Sequence, residues 1–254
     1  MAARSKIEWT DSTWNPARGC TKVSPGCAHC YAEAFAERFR GVKGHPFENG
    51  FDLQLVPGKL EEPLRWKQPR LIFVNSMSDL FHESIPLDFI QQVFAVMAKA
   101  PWHTFQILTK RSGRLAEVCG DLPWPPHVWM GVSIETAAYA SRAVDLQKAP
   151  SAVRFLSLEP LLGPIPGLPL EGIGWVIAGG ESGPRARPMQ ISWAREIRNQ
   201  CQGAGVPFYL KQLGGRQDKR GGTAALLDGR HWKQTPPIIR PRPSADARRE
   251  AVAV

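Results

Sequence analysis

The stretch Leu71-Ile72-Phe73-Val74-Asn75-Ser76-Met77-Ser78-Asp79 sets the reading of the whole chain. Its apolar residues run without alternation and then give way to a polar string. A continuous apolar run of this length reads as a strand covered on both faces, as in a parallel sheet. The residues that follow complete a parallel unit. Leu87–Lys99 repeats apolar residues at helical spacing, Phe89, Val93 and Val96 beside Ile90, Phe94 and Met97, and stops before Pro101. Thr104–Leu108 is a second apolar run, and it ends on Thr109-Lys110-Arg111.

The alternation continues outward. Apolar runs fall at Leu71–Asn75, Thr104–Leu108, Val128–Val132, Val153–Leu158, Trp175–Ala178 and Pro207–Leu210. Helical patterns fall at Ala28–Arg40, Thr136–Lys148 and Ser192–Gln202, the last with Ser192 as N-cap and Gly203 or Gly205 as stop. Strand–helix alternation of this kind predicts an α/β fold, here a partial parallel (β/α)6-type barrel of roughly six strands. In a barrel the chemistry sits at the carboxyl ends of the strands. These ends read Asn75 to Asp79, Thr109 to Arg111, Ser133-Ile134-Glu135, Glu159-Pro160, Gly179-Gly180-Glu181-Ser182 and Lys211-Gln212. Turn and cap chemistry accounts for any one of them. The whole set, with Lys and Glu that turns do not favour, points to one shared site.

The chain has 254 residues, 43 % apolar and 22 % charged, which is a globular profile and not a disordered one. Residues 1–213 are expected to form the barrel, with 41–70 as a lid or excursion. Residues 214–254 are expected to be a basic, Pro-containing extension without fixed structure, carrying Pro236-Pro237, Pro241 and Pro243. The net charge is +9, but from Gly214 on nine Lys and Arg face four Asp and Glu, so the barrel itself is nearly balanced. Anionic partners, nucleic acid included, are compatible with that charge. No stretch reaches the roughly 18 apolar residues of a membrane span, and the first residues lack the apolar segment of a signal peptide. A cytoplasmic location and no membrane are expected. In such a reducing compartment the odd total of five cysteines argues against a disulfide framework.

Three of those cysteines crowd into Cys20-Thr21-Lys22-Val23-Ser24-Pro25-Gly26-Cys27-Ala28-His29-Cys30, a C-x6-C-x2-C spacing. Three thiolates on a Gly- and Pro-bearing loop that leads into a helix can hold a [4Fe–4S] cluster and leave its fourth iron open. The rival is zinc with His29 or His45 as the fourth ligand, although a second C-x2-C pair is missing. Cys119 and Cys201 read as buried core thiols, Cys201 on a helix face with Ala194 and Ile197.

The chain resembles the three-Cys-motif protein family of phages and bacteria. That family is similar in turn to the radical S-adenosylmethionine (SAM) superfamily, in particular its spore photoproduct lyase-like branch. The resemblance rests on three segments in order: Asn15 to Ala32; Phe73 to Phe81 with Ile107-Leu108-Thr109-Lys110; and Val132 to Glu135 with Leu158-Glu159-Pro160. It spans Trp9 to Leu213. The superfamily spacing is C-x3-C-x2-C, so the loop here carries three extra residues, and His29 stands where an aromatic residue is common. Gly179-Gly180-Glu181 is similar to a SAM-binding glycine signature but follows a late strand instead of the second.

The resemblance implies a cluster on Cys20, Cys27 and Cys30 with SAM chelating the open iron. Asn75, Ser76 and Asp79 would then meet the SAM amino and carboxylate groups, Asp79 accepting from the ammonium. Lys110 would pair with a carboxylate or an anionic substrate, Ser133 and Glu135 would hold ribose hydroxyls, and Gly179 and Gly180 would let a ligand approach. Glu159, a carboxylate at an apolar strand end, needs a partner such as Lys110, Lys211 or a ligand. Glu181 and Lys211 are substrate-side candidates. Trp9 and Trp14 flank the cysteine loop as shields or core. Arg185, Arg187, Arg216, Lys219 and Arg220 are phosphate contacts or a solvated face.

The leading expectation is a radical-SAM-like enzyme acting on an unidentified substrate of nucleic-acid type, served by an unidentified electron donor. The other is a cluster- or zinc-stabilised nucleic-acid-binding or phage accessory protein without catalysis, working with a partner protein. An enzyme needs Asp79, Lys110 and Glu159 to converge on the cysteines; a binding module does not.

Overall fold

The computed structural model describes residues 5, 7–215 and 225–238. Its centre is a seven-stranded sheet of β1 Ser12–Trp14, β2 Leu71–Val74, β3 Thr104–Thr109, β4 Val128–Ser133, β5 Arg154–Leu158, β6 Trp175–Gly179 and β7 Phe208–Gln212. All neighbours run parallel and lie side by side in chain order, and the sheet curls into a half-barrel. The helices are α1 Tyr31–Ala36, α2 Leu87–Lys99, α3 Ser112–Val118, α4 Ser141–Gln147 and α5 Ile191–Gly203.

Side chains alternate across each strand, and both faces are dry. Ile72, Val74, Ile107, Val132, Leu156, Val176 and Leu210 pack outward against α2, α4 and α5 in the main core. Phe73, Trp129, Phe155, Trp175 and Tyr209 point inward and close on Trp9, so an aromatic layer fills the hollow of the half-barrel. Gly131 makes room for it, because a Cβ there would lie 2.5 Å from the Phe155 ring. Double-sided burial is the physical reason the strands read as unbroken apolar runs.

Several expectations are corrected. The sheet has seven strands and not six, because Ser12-Thr13-Trp14 pairs with Ile72, Phe73 and Val74 although it carries no apolar run. Thr136–Lys148 divides into a 3-10 turn, Ala137–Tyr139, and α4. The helix of Ala28–Arg40 starts only after Cys30, its N-cap, and tightens to a 3-10 turn at Glu37–Phe39. Ser192 lies inside α5, where Gln190 takes the cap position. The last strand runs on to Gln212, which puts Lys211 inside it.

The excursion is fastened to the barrel. Ala17–Arg18 pairs antiparallel with Gln54–Leu55, Leu64 is buried, and Trp14 Nε1 donates to the Lys59 carbonyl at 2.7 Å. The extension expected to lack structure is ordered over 225–238. Leu226–Leu227 and Arg230–His231 form a hairpin, and Ala225, Leu227 and Trp232 are buried in the main core. Its turn is Asp228-Gly229, both at positive φ, the chemistry a two-residue hairpin demands. Lys233 Nζ reaches Glu8 at 2.8 Å, joining the two ends of the described chain across the open side of the half-barrel. Arg216, Lys219, Arg220, Pro241 and Pro243 lie outside the described residues. No helix among the described residues is long and apolar enough to cross a membrane.

Candidate cysteine-lined site at the barrel mouth

At the carboxyl ends of the strands the half-barrel opens into a cavity of about 280 Å³. Cys20, Cys27 and Cys30 line it together with Asn75, Ser76, Asp79, Lys110, Ser133, Glu159, Gly180, Glu181 and Lys211. The strand ends thus share one space, and Asp79, Lys110 and Glu159 face the same cavity as the cysteines. Glu135 and Gly179 are not on its wall.

The loop that carries the cysteines is held tightly. Gly19 has φ +79°, and a Cβ on it would come within 2.1 Å of the Asp52 carbonyl oxygen, so only glycine passes there. Gly19 N donates to Met77 O at 3.0 Å and Cys20 N to Phe51 O at 3.2 Å. Three ionic networks then fasten the loop to the strand ends.

The first centres on Arg111, after β3. Its Nη1 donates to Cys20 Sγ at 3.3 Å and Asp79 Oδ2 at 3.2 Å, its Nη2 to Thr21 O and Oγ1 at 3.0 and 2.9 Å, and its Nε to Glu83 at 2.8 Å. Burial alone would lower its pKa, but Asp79, Glu83 and Cys20 outweigh that and hold it charged. Asp79 also accepts from Thr109 Oγ1 at 2.7 Å, Lys110 N at 3.0 Å and Phe81 N at 3.0 Å. Its four lone-pair positions are therefore filled by protein donors, which leaves none for a ligand ammonium.

Glu135 forms the second network. It is fully buried beneath the loop, takes Arg142 Nη1 at 3.0 Å and the Ser24 hydroxyl, and has Lys110 Nζ 3.8 Å away. It supports the loop from below and is not placed to meet a ribose. In the third, Glu181 accepts from Arg187 Nη2 at 2.6 Å, Nε at 2.9 Å and N at 2.8 Å, and lies 3.1 Å from His29 Nδ1. Arg187 Nη2 also donates to Pro25 O at 3.0 Å. Burial pushes the Glu181 carboxyl up, but the bonds from Arg187 and His29 more than offset it and bring it to about 2.

Across the cavity, Lys211 Nζ pairs with Glu159 Oε1 at 2.9 Å, supplying the partner that the strand-end carboxylate needs. Gly179 accommodates this pair, since a Cβ there would lie 2.8 Å from Glu159 Oε1. At Gly180 the Leu213 carbonyl stands in the way of a Cβ, at 2.1 Å. Neighbouring protein atoms alone therefore exclude a side chain at Gly180 and crowd one at Gly179. Ser76 Oγ donates to Asn15 Oδ1 at 3.2 Å, and the Ser76 carbonyl takes the Tyr31 hydroxyl at 2.6 Å. Asn75, at φ 58°, is 2 % exposed with an unpartnered Nδ2. Lys110 has the looser engagement, its acid 3.8 Å away. Trp14 is fully buried in the main core, whereas Trp9 does line the cavity.

Burial, with Asp79 nearby, pushes the Cys20 thiol up to about 11. Arg111 opposes that rise without cancelling it, and a bound cation would add further positive charge at the sulfur. Among the described residues no three His, Cys, Asp or Glu side chains are gathered tightly enough for a single ion. Cys119 and Cys201 are buried, as core thiols should be.

Arg111, Arg142 and Arg187 hold the loop, yet the sequence does not single them out for it. Arg111 stands beside Lys110 with nothing in the string to say which cation turns inward. Arg142 lies on the surface pattern of a helix, and Arg187 reads from sequence as a phosphate contact or part of a solvated face.

The architecture defines a class: a parallel α/β half-barrel with a cysteine loop latched over a charged mouth. Within that class the chain belongs to DUF5131, a family of proteins of unknown function, whose family model matches residues 4–236. The match extends past Leu213 and takes in the C-terminal hairpin. No curated protein and no solved structure matches the chain.

Proposed function

We propose that Cys20, Cys27 and Cys30 hold a [4Fe–4S] cluster and that the protein is a radical-SAM-like enzyme. The observation that carries this reading is the single cavity shared by three thiols of one loop and the charged ends of a parallel half-barrel. The donor set suits the group: iron–sulfur clusters take thiolates, set around a body wider than one ion. When bound, the cluster and SAM would supply reductive cleavage of SAM and abstraction of a hydrogen atom from the substrate.

The chain's own part is to position and to exclude water. Lys110 lines the cavity and is held only loosely by Glu135 at 3.8 Å, and it would take a ligand carboxylate. Ser133, also on the cavity wall, offers a hydroxyl beside it. Trp9 and Phe73 floor the cavity and keep the mouth dry from below. The Lys211–Glu159 pair faces the substrate side. The proposed substrate class is nucleic acid, with a separate electron donor, both on the strength of the family resemblance and the +9 charge.

Anaerobic reconstitution should give a brown protein with about four irons per chain, and Cys27→Ala should lose them. A colourless protein retaining one zinc would overturn the reading. Incubation of the reconstituted protein with SAM and dithionite should release 5′-deoxyadenosine. Its absence from a fully loaded sample leaves the second reading, a cluster-stabilised binding or phage accessory protein without catalysis. One observation favours that alternative: Asp79, Glu135 and Glu181 are all engaged in holding the cysteine loop.

A further inference from the structure

We propose that Arg111 sets the reduction potential of the cluster through the Cys20 sulfur, an inference that rests on the cluster reading above. A guanidinium has five N–H donors. Arg111 directs them at five acceptors: Glu83, Asp79, Cys20 Sγ, Thr21 O and Thr21 Oγ1. The side chain is only 5 % exposed as a residue, so water does not substitute for a missing partner. One acceptor in this closed set is a sulfur atom. A neutral thiol is a weak acceptor for a charged donor, and a metal-bound thiolate is a strong one. The guanidinium is placed where a metal-bound, anionic Cys20 sulfur would accept from it.

The rest of the network fixes the aim. Asp79 grips the Nη1 edge while its other positions are occupied by Thr109, Lys110 N and Phe81 N, so the carboxylate itself cannot swing. Glu83 holds the opposite edge at Nε. Among the described residues the hydrogen-bond partner of Cys27 Sγ is the neutral Ser24 hydroxyl, 3.8 Å away. The first cysteine is therefore electronically distinct from the second. A charged hydrogen bond to a ligand sulfur withdraws electron density and favours the reduced, more negative cluster. Asp79, expected to meet a ligand ammonium, is a positioning residue for this contact. Lysine could not replace Arg111, because its three donors radiate from one atom and cannot span the fork.

The test is an EPR-monitored redox titration of the full chain, reconstituted anaerobically, as wild type, Arg111→Gln and Arg111→Lys. Iron content is measured on each sample. Both variants should hold iron and titrate at lower potential than wild type, Arg111→Gln further than Arg111→Lys, which keeps the charge. A mere clamp would change stability or iron content but leave the potential in place. A potential equal to wild type in an iron-loaded variant overturns the inference; if Arg111→Gln does not fold, Arg111→Lys decides in the same way. A wild-type chain that takes up no iron overturns the cluster reading itself, an outcome recognisable before any variant is titrated.

Discussion

Gly26 shows how little space separates the cysteine loop from the strand ends. A Cβ there would lie 2.4 Å from Glu135 Oε1, against a carboxylate already held by Arg142. Gly26→Ala should therefore lift the loop, cost about 1–3 kcal/mol in chemical denaturation and lower the iron bound on reconstitution. An alanine variant with wild-type stability and iron content would show that the loop rests on something else. At this scale the cysteines and the acidic strand ends were legible, because the type of residue carries the chemistry. Their partners were not. Arg187 reaches Pro25 across 162 positions and Ser24 reaches Glu135 across 111, and no local pattern encodes such a pairing. For the same reason the protein partners of Asp79, Glu135 and Gly179 were not legible beside the ligand contacts expected of them.

Elements were legible where they repeat and obscure where they are short. The helix Leu87–Lys99 is found with the boundaries its periodicity predicts, and the strands begin and end within a few residues of the apolar runs. β1, with three residues, and the hairpin, with two per strand, are too short for any period to show. The Asp228-Gly229 pair is the local cue for the latter, and it went unread within an extension expected to lack structure. His103 links two such elements. Its Nδ1 accepts from Arg70 N at the start of β2, and its Nε2 donates to the Pro63 carbonyl of the excursion, both at 3.1 Å. That arrangement requires the neutral ring. Burial, opposed by the bond to Pro63 and reinforced by Arg70, lowers its pKa from 6.5 to about 4. The unfolded chain thus binds a proton that the folded one refuses. Stability from this group is complete above about pH 6.5 and declines as the pH falls towards 4, by on the order of 3 kcal/mol. Thermal unfolding as a function of pH should show the slope, and His103→Gln should flatten it. An equally steep slope in the variant would place the effect elsewhere, His127 included, which burial also holds below its ordinary value.

For the whole molecule, the C-terminal hairpin belongs to the folded unit. Trp232 is 6 % exposed, with the Arg198 and Arg230 guanidinium groups over its ring, and its carbonyl accepts from Leu210 N at the edge of β7. A chain ending at Gly215 should lose at least about 3 kcal/mol through the uncovered apolar surface alone. Its melting temperature should fall clearly below that of the full chain; an unchanged value would mean that the barrel is complete without the hairpin. The sheet order has a consequence for how the molecule is made. Each strand neighbours only the strands before and after it in the chain, so the sheet can assemble in the order in which the ribosome releases it. The Glu8–Lys233 contact spans much more of the chain, its partners standing 225 positions apart. It can form only after β7 has been made, as can the packing of Ile238 against the aromatic cluster, which also takes Ile7 from the other end of the described chain.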